Sequence, residues 1–117
     1  MSRGLFITAS LVAVLLCAQA LIAQEIIREF DAPGRQSRGL AWDGSYLWCS
    51  DSGTDRIYKV DPESGDTLFS FYFDMYSEFG GLTWDTDETL WIANGKYLYK
   101  LDPTTGEEVG SFHCPGG

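Results

Sequence analysis

The residues able to do chemistry come mostly in matched pairs. Trp48 and Trp91 present indole faces of the kind that stack on sugar rings, which makes them candidates for a carbohydrate platform. Trp42 and Trp84, each followed by Asp, read first as packing residues. Asp51 and Asn94 follow the aromatic stretches at matching places. They would serve as a polar rim around a shared opening, or as turn formers whose side chains accept backbone N–H groups. Asp85-Thr86-Asp87-Glu88 gathers oxygens that would suit a weak surface cation site, but it lacks the alternating Asp spacing and later Glu of an EF-hand loop. His113 is the only histidine, and no proton acceptor or nucleophile stands near it in a spacing that makes a triad. Cys114 follows it directly, so an extended chain would put the two side chains on opposite faces. There is no Gly-rich phosphate loop, no Cys-x-x-Cys and no paired-His metal motif. No cofactor is expected.

The pairing has a cause, an internal repeat. Arg38-Gly39-Leu40-Ala41-Trp42-Asp43, Tyr46-Leu47-Trp48-Cys49-Ser50-Asp51 and Ile57-Tyr58-Lys59-Val60-Asp61-Pro62-Glu63-Ser64-Gly65 form one unit. Gly80-Gly81-Leu82-Thr83-Trp84-Asp85, Thr89-Leu90-Trp91-Ile92-Ala93-Asn94 and Leu98-Tyr99-Lys100-Leu101-Asp102-Pro103-Thr104-Thr105-Gly106 form the next, at offsets of 42, 43 and 41 residues. Each unit parses into four short strands, A to D. In the first they are Gly39 to Asp43, Tyr46 to Ser50, Arg56 to Asp61 and Thr67 to Phe71. In the second they are Gly81 to Asp85, Thr89 to Ala93, Tyr97 to Asp102 and Glu108 to Phe112. Asp43-Gly44 supplies a hairpin turn, and Pro62 and Ser64-Gly65 end strand C and close the next turn. The strands are apolar on both faces, whereas a sheet with one wet face would alternate. A period near 42 with four strands per unit and two covered faces predicts an all-β fold built from four-stranded antiparallel β-propeller blades. A β-sandwich would not explain the repeat. The Trp-Asp pairs do not make a WD repeat, because here they close strand A and not strand C.

Arg3, the apolar run from Leu5 to Leu16 and the small residues Ala18, Ala20 and Ala23 make a secretory signal peptide over 1–23, with cleavage after Ala20 or Ala23. The expected destination is the periplasm or the exterior. The expected division is then a leading outer strand and linker at 24–37, blade one at 38–71, a linker at 72–79, blade two at 80–112 and the start of a further linker at 113–117. Net charge is −9, and loss of Arg3 makes the remainder more acidic still. Such a surface repels phosphate backbones and anionic lipid, so neither nucleic acid nor membrane is an expected partner after signal removal. Cys49 and Cys114 could pair in an oxidising compartment. The repeat aligns them with Ile92 and Ala32, which reads them instead as small buried apolar residues.

The phase of the repeat adds a further expectation. Ile26-Ile27-Arg28-Glu29-Phe30 aligns with Glu108-Val109-Gly110-Ser111-Phe112. The mature part therefore opens with a D-type strand that has no A, B or C of its own, and it stops in a linker toward another A. Propellers usually have about 4 to 8 blades. Two blades leave two apolar faces open, so further blades in cis or in trans are needed to close a ring. A fragment of a longer chain is favoured over a ring of copies.

The repeat resembles the broad propeller superfamily of gluconolactonase and regucalcin, streptogramin lyase, NHL repeats and glutaminyl cyclotransferase. The shared skeleton is Gly-Leu-x-Trp-Asp, an aromatic strand ending Ser/Ala-Asp/Asn, then Tyr-Lys-hydrophobic-Asp-Pro-x-x-Gly, and it covers Ile26 to Gly117. Cyclotransferases carry a Glu in the strand B stretch. Here Trp48-Cys49-Ser50-Asp51-Ser52-Gly53 has none, which counts against that activity. Gluconolactonase-type enzymes hold a metal on channel-facing acidic and amide residues, and the resemblance implies Glu78 as the one candidate ligand. The leading expectation is a non-catalytic exported scaffold that binds a protein, small molecule or glycan, with Trp48, Trp91, Asp51 and Asn94 as candidate contacts. One alternative is the amino-terminal part of a propeller enzyme (lactone hydrolase, lyase or cyclotransferase-like). Another is a two-blade lectin forming a trimeric ring.

Overall fold

The computed structural model describes residues 25–74 and 79–115. Eight strands make two four-stranded antiparallel sheets, each in simple consecutive order. The first holds β1 (Ser37–Trp42), β2 (Leu47–Asp51), β3 (Arg56–Val60) and β4 (Thr67–Tyr72). The second holds β5 (Phe79–Trp84), β6 (Leu90–Asn94), β7 (Tyr97–Leu101) and β8 (Glu108–His113). β1 and β5 start earlier than the repeat suggested, because each ladder carries a register shift near its beginning, between Ser37 and Gly39 and between Phe79 and Leu82. The expected leading strand at Ile26–Phe30 forms no ladder, since no C-type strand lies beside it among the described residues. The signal segment lies outside the described residues. No described helix is long and apolar enough to cross a membrane.

The turns are duplicated almost bond for bond. In the first unit Gly65 N donates to Asp61 O at 2.8 Å and Glu63 N to Asp61 Oδ1 at 2.8 Å. In the second, Gly106 N donates to Asp102 O at 2.7 Å and Thr104 N to Asp102 Oδ1 at 2.8 Å. Asp-Pro is thus a turn device, with the carboxylate taking a backbone N–H and the glycine supplying positive φ of 79° and 78°.

Directly opposed residues of an antiparallel ladder share a face. The registers put Ala41, Trp48 and Lys59 on one face of the first sheet, together with Gly39, Ser50, Ile57 and Phe71. On the second sheet Leu82, Ile92 and Tyr99 share a face with Trp84, Leu90 and Leu101. These two faces meet, and Ala41, Trp48, Ile57, Phe71, Leu82, Leu90, Ile92 and Leu101 form a single buried cluster. Each fully buried aliphatic side chain there stabilises the pair by roughly 1.5–3 kcal/mol.

The sheets approach most closely along their first strands. β5 lies against β1 and touches β2, while the third and fourth strands of the two sheets make no such approach. At the closest point a side chain on Gly39 would fall 2.6 Å from the backbone N of Leu82, so only glycine fits. Farther out the gap is filled by larger groups, such as Phe73 edge-on to Tyr99 at 5.4 Å. The two sheets therefore form a wedge with a thin inner edge. Each also keeps an apolar outer face: Leu40 and Trp42 are 64% and 52% exposed on the first, and Phe112 is 61% exposed on the second.

Candidate functional site

The rim of the wedge that carries the β1–β2, β5–β6 and β7–β8 turns opens into a groove of about 760 Å³. That is a volume suited to a small-molecule ligand. Asp43, Tyr46, Lys59, Trp84, Glu88 and Asp102 are among its lining residues. Asp43 is placed by the hairpin it begins. Its Oδ1 accepts from Ser45 N at 2.8 Å and Tyr46 N at 2.7 Å, and its Oδ2 accepts from Trp48 Nε1 at 2.9 Å. Burial works against the charged form of Asp43. The Trp48 bond, the two backbone donors and the Lys59 charge outweigh it and hold the carboxyl below its ordinary value. The second unit repeats the indole bond, Trp91 Nε1 donating to Asp85 Oδ2 at 3.0 Å.

The Lys residues of the Tyr-Lys motif face these rings across the ladder, since Trp48 opposes Lys59 and Trp91 opposes Lys100. Lys59 Nζ lies 4.4 Å from the Tyr46 ring centre and 5.8 Å from that of Trp48. Lys100 Nζ lies 5.5 Å from the Trp91 ring centre. It also pairs with Asp87, and hydrogen bonds from Lys100 and Thr89 hold the Asp87 carboxyl low while the same pair raises Lys100. Asp102 is held low by Thr104, through its hydroxyl and then its backbone N–H. The β5–β6 turn is one residue longer than its counterpart and puts Glu88 at φ 64°, beside the groove. Carboxylates held ionised beside aromatic rings favour a ligand with cationic or hydroxyl donors. Asp43, Asp87 and Asp102 are each held below the ordinary carboxylate value.

Of the residues singled out in the sequence, Trp48 and Trp84 border the groove together with Asp87 and Glu88, whereas Trp91, Asp51 and Asn94 lie elsewhere. Trp48 is 2% exposed, its ring stacked on Trp84 at 6.2 Å and 16° and tilted against Phe71 at 6.5 Å. Little of the ring is accessible, and it reaches the groove only at its border. Trp84 is the expected packing residue, whereas Trp42 stands on the open face of the first sheet. Trp91 is half-buried, stacks on Phe112 at 5.4 Å and 12°, and lines an opening of about 430 Å³ on the outer face of the second sheet.

Asp51 is completely buried at the far end of β2. It accepts from Gln36 N at 2.6 Å and from Thr54 N and Oγ1 at 2.9 Å each. It is a turn anchor of the kind expected and reaches no solvent rim. Asn94 is 4% exposed; its Nδ2 donates to Asp74 O at 3.2 Å, and its Oδ1 has no partner among the described residues. The linker that supplies the donor to Asp51 has its counterpart in 74–79, of which 75–78 lie outside the described residues. Glu78 lies there too. Cys49 and Cys114 are both free, and burial, the main influence on it, pushes the Cys49 thiol up. Among the described residues no group of three or more His, Cys, Asp or Glu could hold a metal ion.

Sequence reasoning named Trp48, Trp84, Asp87 and Glu88 of the groove's lining but not the groove they share with Asp43 and Lys59. Its signal was present in the hairpin register, which sets each motif Lys across from a Trp, but the groove itself appears only when two units are packed together.

Scanned against family models the chain matches none, and no curated protein matches it. Solved structures do. A luciferin-regenerating enzyme matches with a TM-score of 0.54 at 24% identity, over 68% of this chain and 30% of that one. Virginiamycin B lyase from Staphylococcus aureus matches with a TM-score of 0.56 at 23% identity, over 75% and 31%. BBS1N, solved in complex with ARL6DN, matches with a TM-score of 0.50 at 15% identity, over 79% and 30%. These are propeller-type proteins, and the two sheets described above share their fold. The chain spans about a third of the length of each.

Proposed function

We propose that this chain is a two-unit section of an exported β-propeller that acts as a non-catalytic scaffold binding a protein, a small molecule or a glycan. One observation carries the reading. Gly39 is closely covered by the neighbouring sheet, whereas its repeat counterpart Gly81 meets nothing within 4 Å. The outer face of the second sheet thus repeats a position that is covered wherever a neighbour exists, and it presents Phe112 and Leu98 to solvent. The carboxylates and aromatic rings that line the inter-sheet groove support binding of a ligand with cationic or hydroxyl donors. Export rests on the character of residues 1–23.

The test is cell fractionation with intact-mass measurement of the natural polypeptide. The expected result is an extracytoplasmic chain that begins after Ala20 or Ala23 and carries additional units of this repeat. A cytoplasmic chain retaining Met1 overturns the export reading. A natural polypeptide isolated from its own cells with only these two units, and without a partner that supplies more, overturns the propeller-section reading.

The likeness to two proteins whose names denote catalysts favours a second reading, in which the chain belongs to a larger propeller enzyme. Turnover of lactones or of virginiamycin B by the natural full-length polypeptide, and not by Glu78→Gln, would establish it over the scaffold.

A further inference from the structure

The two units meet through a seat that recurs. Phe71, at the end of β4, lies over the turn glycine of the second unit. A methyl group at Gly106 would come within 2.6 Å of both Phe71 Cδ2 and Cγ, and 2.9 Å of its Cβ. Phe30 lies in the same way over the turn glycine of the first unit, where a methyl at Gly65 would fall 2.5, 2.6 and 2.9 Å from Phe30 Cγ, Cδ2 and Cβ. The two phenylalanines hold the same place in the repeat, as do the two glycines. Arg28 fastens the leading segment there, its Nη1 donating to Pro62 O at 3.2 Å and pairing with Glu63 at 3.0 Å. The first unit's seat is therefore filled by the chain's own leading segment. The third phenylalanine of the series, Phe112, has no seat. It stands exposed on the outer face of the second sheet, beside the opening lined by Thr83, Trp84, Trp91 and Leu98.

We propose that this outer face is a docking surface for a further unit of the same repeat whose turn glycine is vacant, and that Ile26–Phe30 keeps a second copy of this chain from taking that place. The inference rests on the chain being a section of a larger ring and names the partner its open face accepts. The incoming unit sets its inner strand against Gly81, lays the Trp of its Gly-Leu-x-Trp-Asp strand on Trp91 as Trp84 lies on Trp48, and receives Phe112 on its glycine. A copy of this chain offers the matching inner strand, with Leu40 and Trp42 exposed. Its Gly65 is already occupied by Phe30, so Phe112 of its neighbour has nowhere to go.

The test uses the mature chain, its Phe30→Ala variant and its Arg28→Glu variant, which loosens the segment by repulsion from Glu63 without touching the core. Sedimentation equilibrium is run on each over a concentration series. The wild type is expected to stay at the mass of one chain, while both variants rise about twofold or more through head-to-tail association. Adding Phe112→Ala to either should return the mass to one chain. Variants that stay at the wild-type mass overturn the proposal. So does a wild type that already associates as the variants do, and so does association that persists without Phe112. Each failure would leave the propeller-section reading intact, since that depends on the mass and location of the natural polypeptide.

Discussion

The indole of Trp48 lies almost parallel to that of Trp84, 6.2 Å away across the boundary between the two sheets, while its own N–H is held by Asp43. One residue thus ties a hairpin turn within its sheet to the packing between sheets. Trp48→Ala removes the stack, the contact with Phe71 and the restraint on Asp43. The expected loss is about 3–5 kcal/mol in urea-induced unfolding. Trp42→Ala, on an exposed face, should cost far less in the same assay.

The two inner-strand glycines make a paired test of the wedge. Gly39→Ala drives a methyl into the Leu82 backbone, while Gly81→Ala meets open space. The first should destabilise by about 1–3 kcal/mol and the second by much less. Comparing the two midpoints under identical denaturant conditions checks it. Equal effects would mean that the inner strands do not approach as described.

Asp43 links stability to acid. Its folded-state pKa lies below the ordinary carboxylate value of 3.8, so its contribution is fully present above that value and is lost as pH falls through the folded pKa. Thermal midpoints measured from pH 6 down to pH 2 should fall in the acid range (about pH 4 and below). Asp43→Asn should flatten that fall and lower the midpoint at pH 6. An unchanged acid limb in the variant would contradict the assignment.

Asp51 should be sensitive to the kind of replacement. Asp51→Ala removes the acceptor of Gln36 N and of Thr54 N and Oγ1, at a cost of about 1–3 kcal/mol in all. Asp51→Asn keeps an acceptor and puts at this position the residue type that stands at Asn94, so it should be the milder change. Differential scanning calorimetry of the two variants decides the order.

Cys49 and Cys114 should react at very different rates. Cys49 is buried with its thiol pKa raised, and Cys114 is partly open. A thiol reagent at mildly alkaline pH should label Cys114 quickly and Cys49 only as the protein unfolds.

The repeat makes the two four-stranded sheets legible in the sequence, because turn residues with fixed conformational demands recur at the same steps. Asp61-Pro62 and Asp102-Pro103 are the plainest cases. What stayed hidden was orientation. With both faces of every strand apolar, alternation does not say whether Trp42 or Trp48 faces the neighbouring sheet; in the structure Trp48 packs on Trp84 and Phe71 and borders the groove. Asp51 and Asn94 hold matching places in the repeat, yet Asp51 is buried because the chain around Gly34 and Gln36 closes over it, which a periodic pattern does not carry. The groove near Asp43 and Lys59 was hidden for a simpler reason: it belongs to neither unit alone.

The close approach at Gly39 has a geometric consequence, much like that of a keystone in masonry. The angle each unit subtends follows from how little material stands at its narrow end and how much at its broad end. Here the narrow end is a glycine and the broad end holds Phe73 against Tyr99. Side-chain volume at a few such positions therefore sets the curvature of any arc built from these units, and hence how many of them complete a circle.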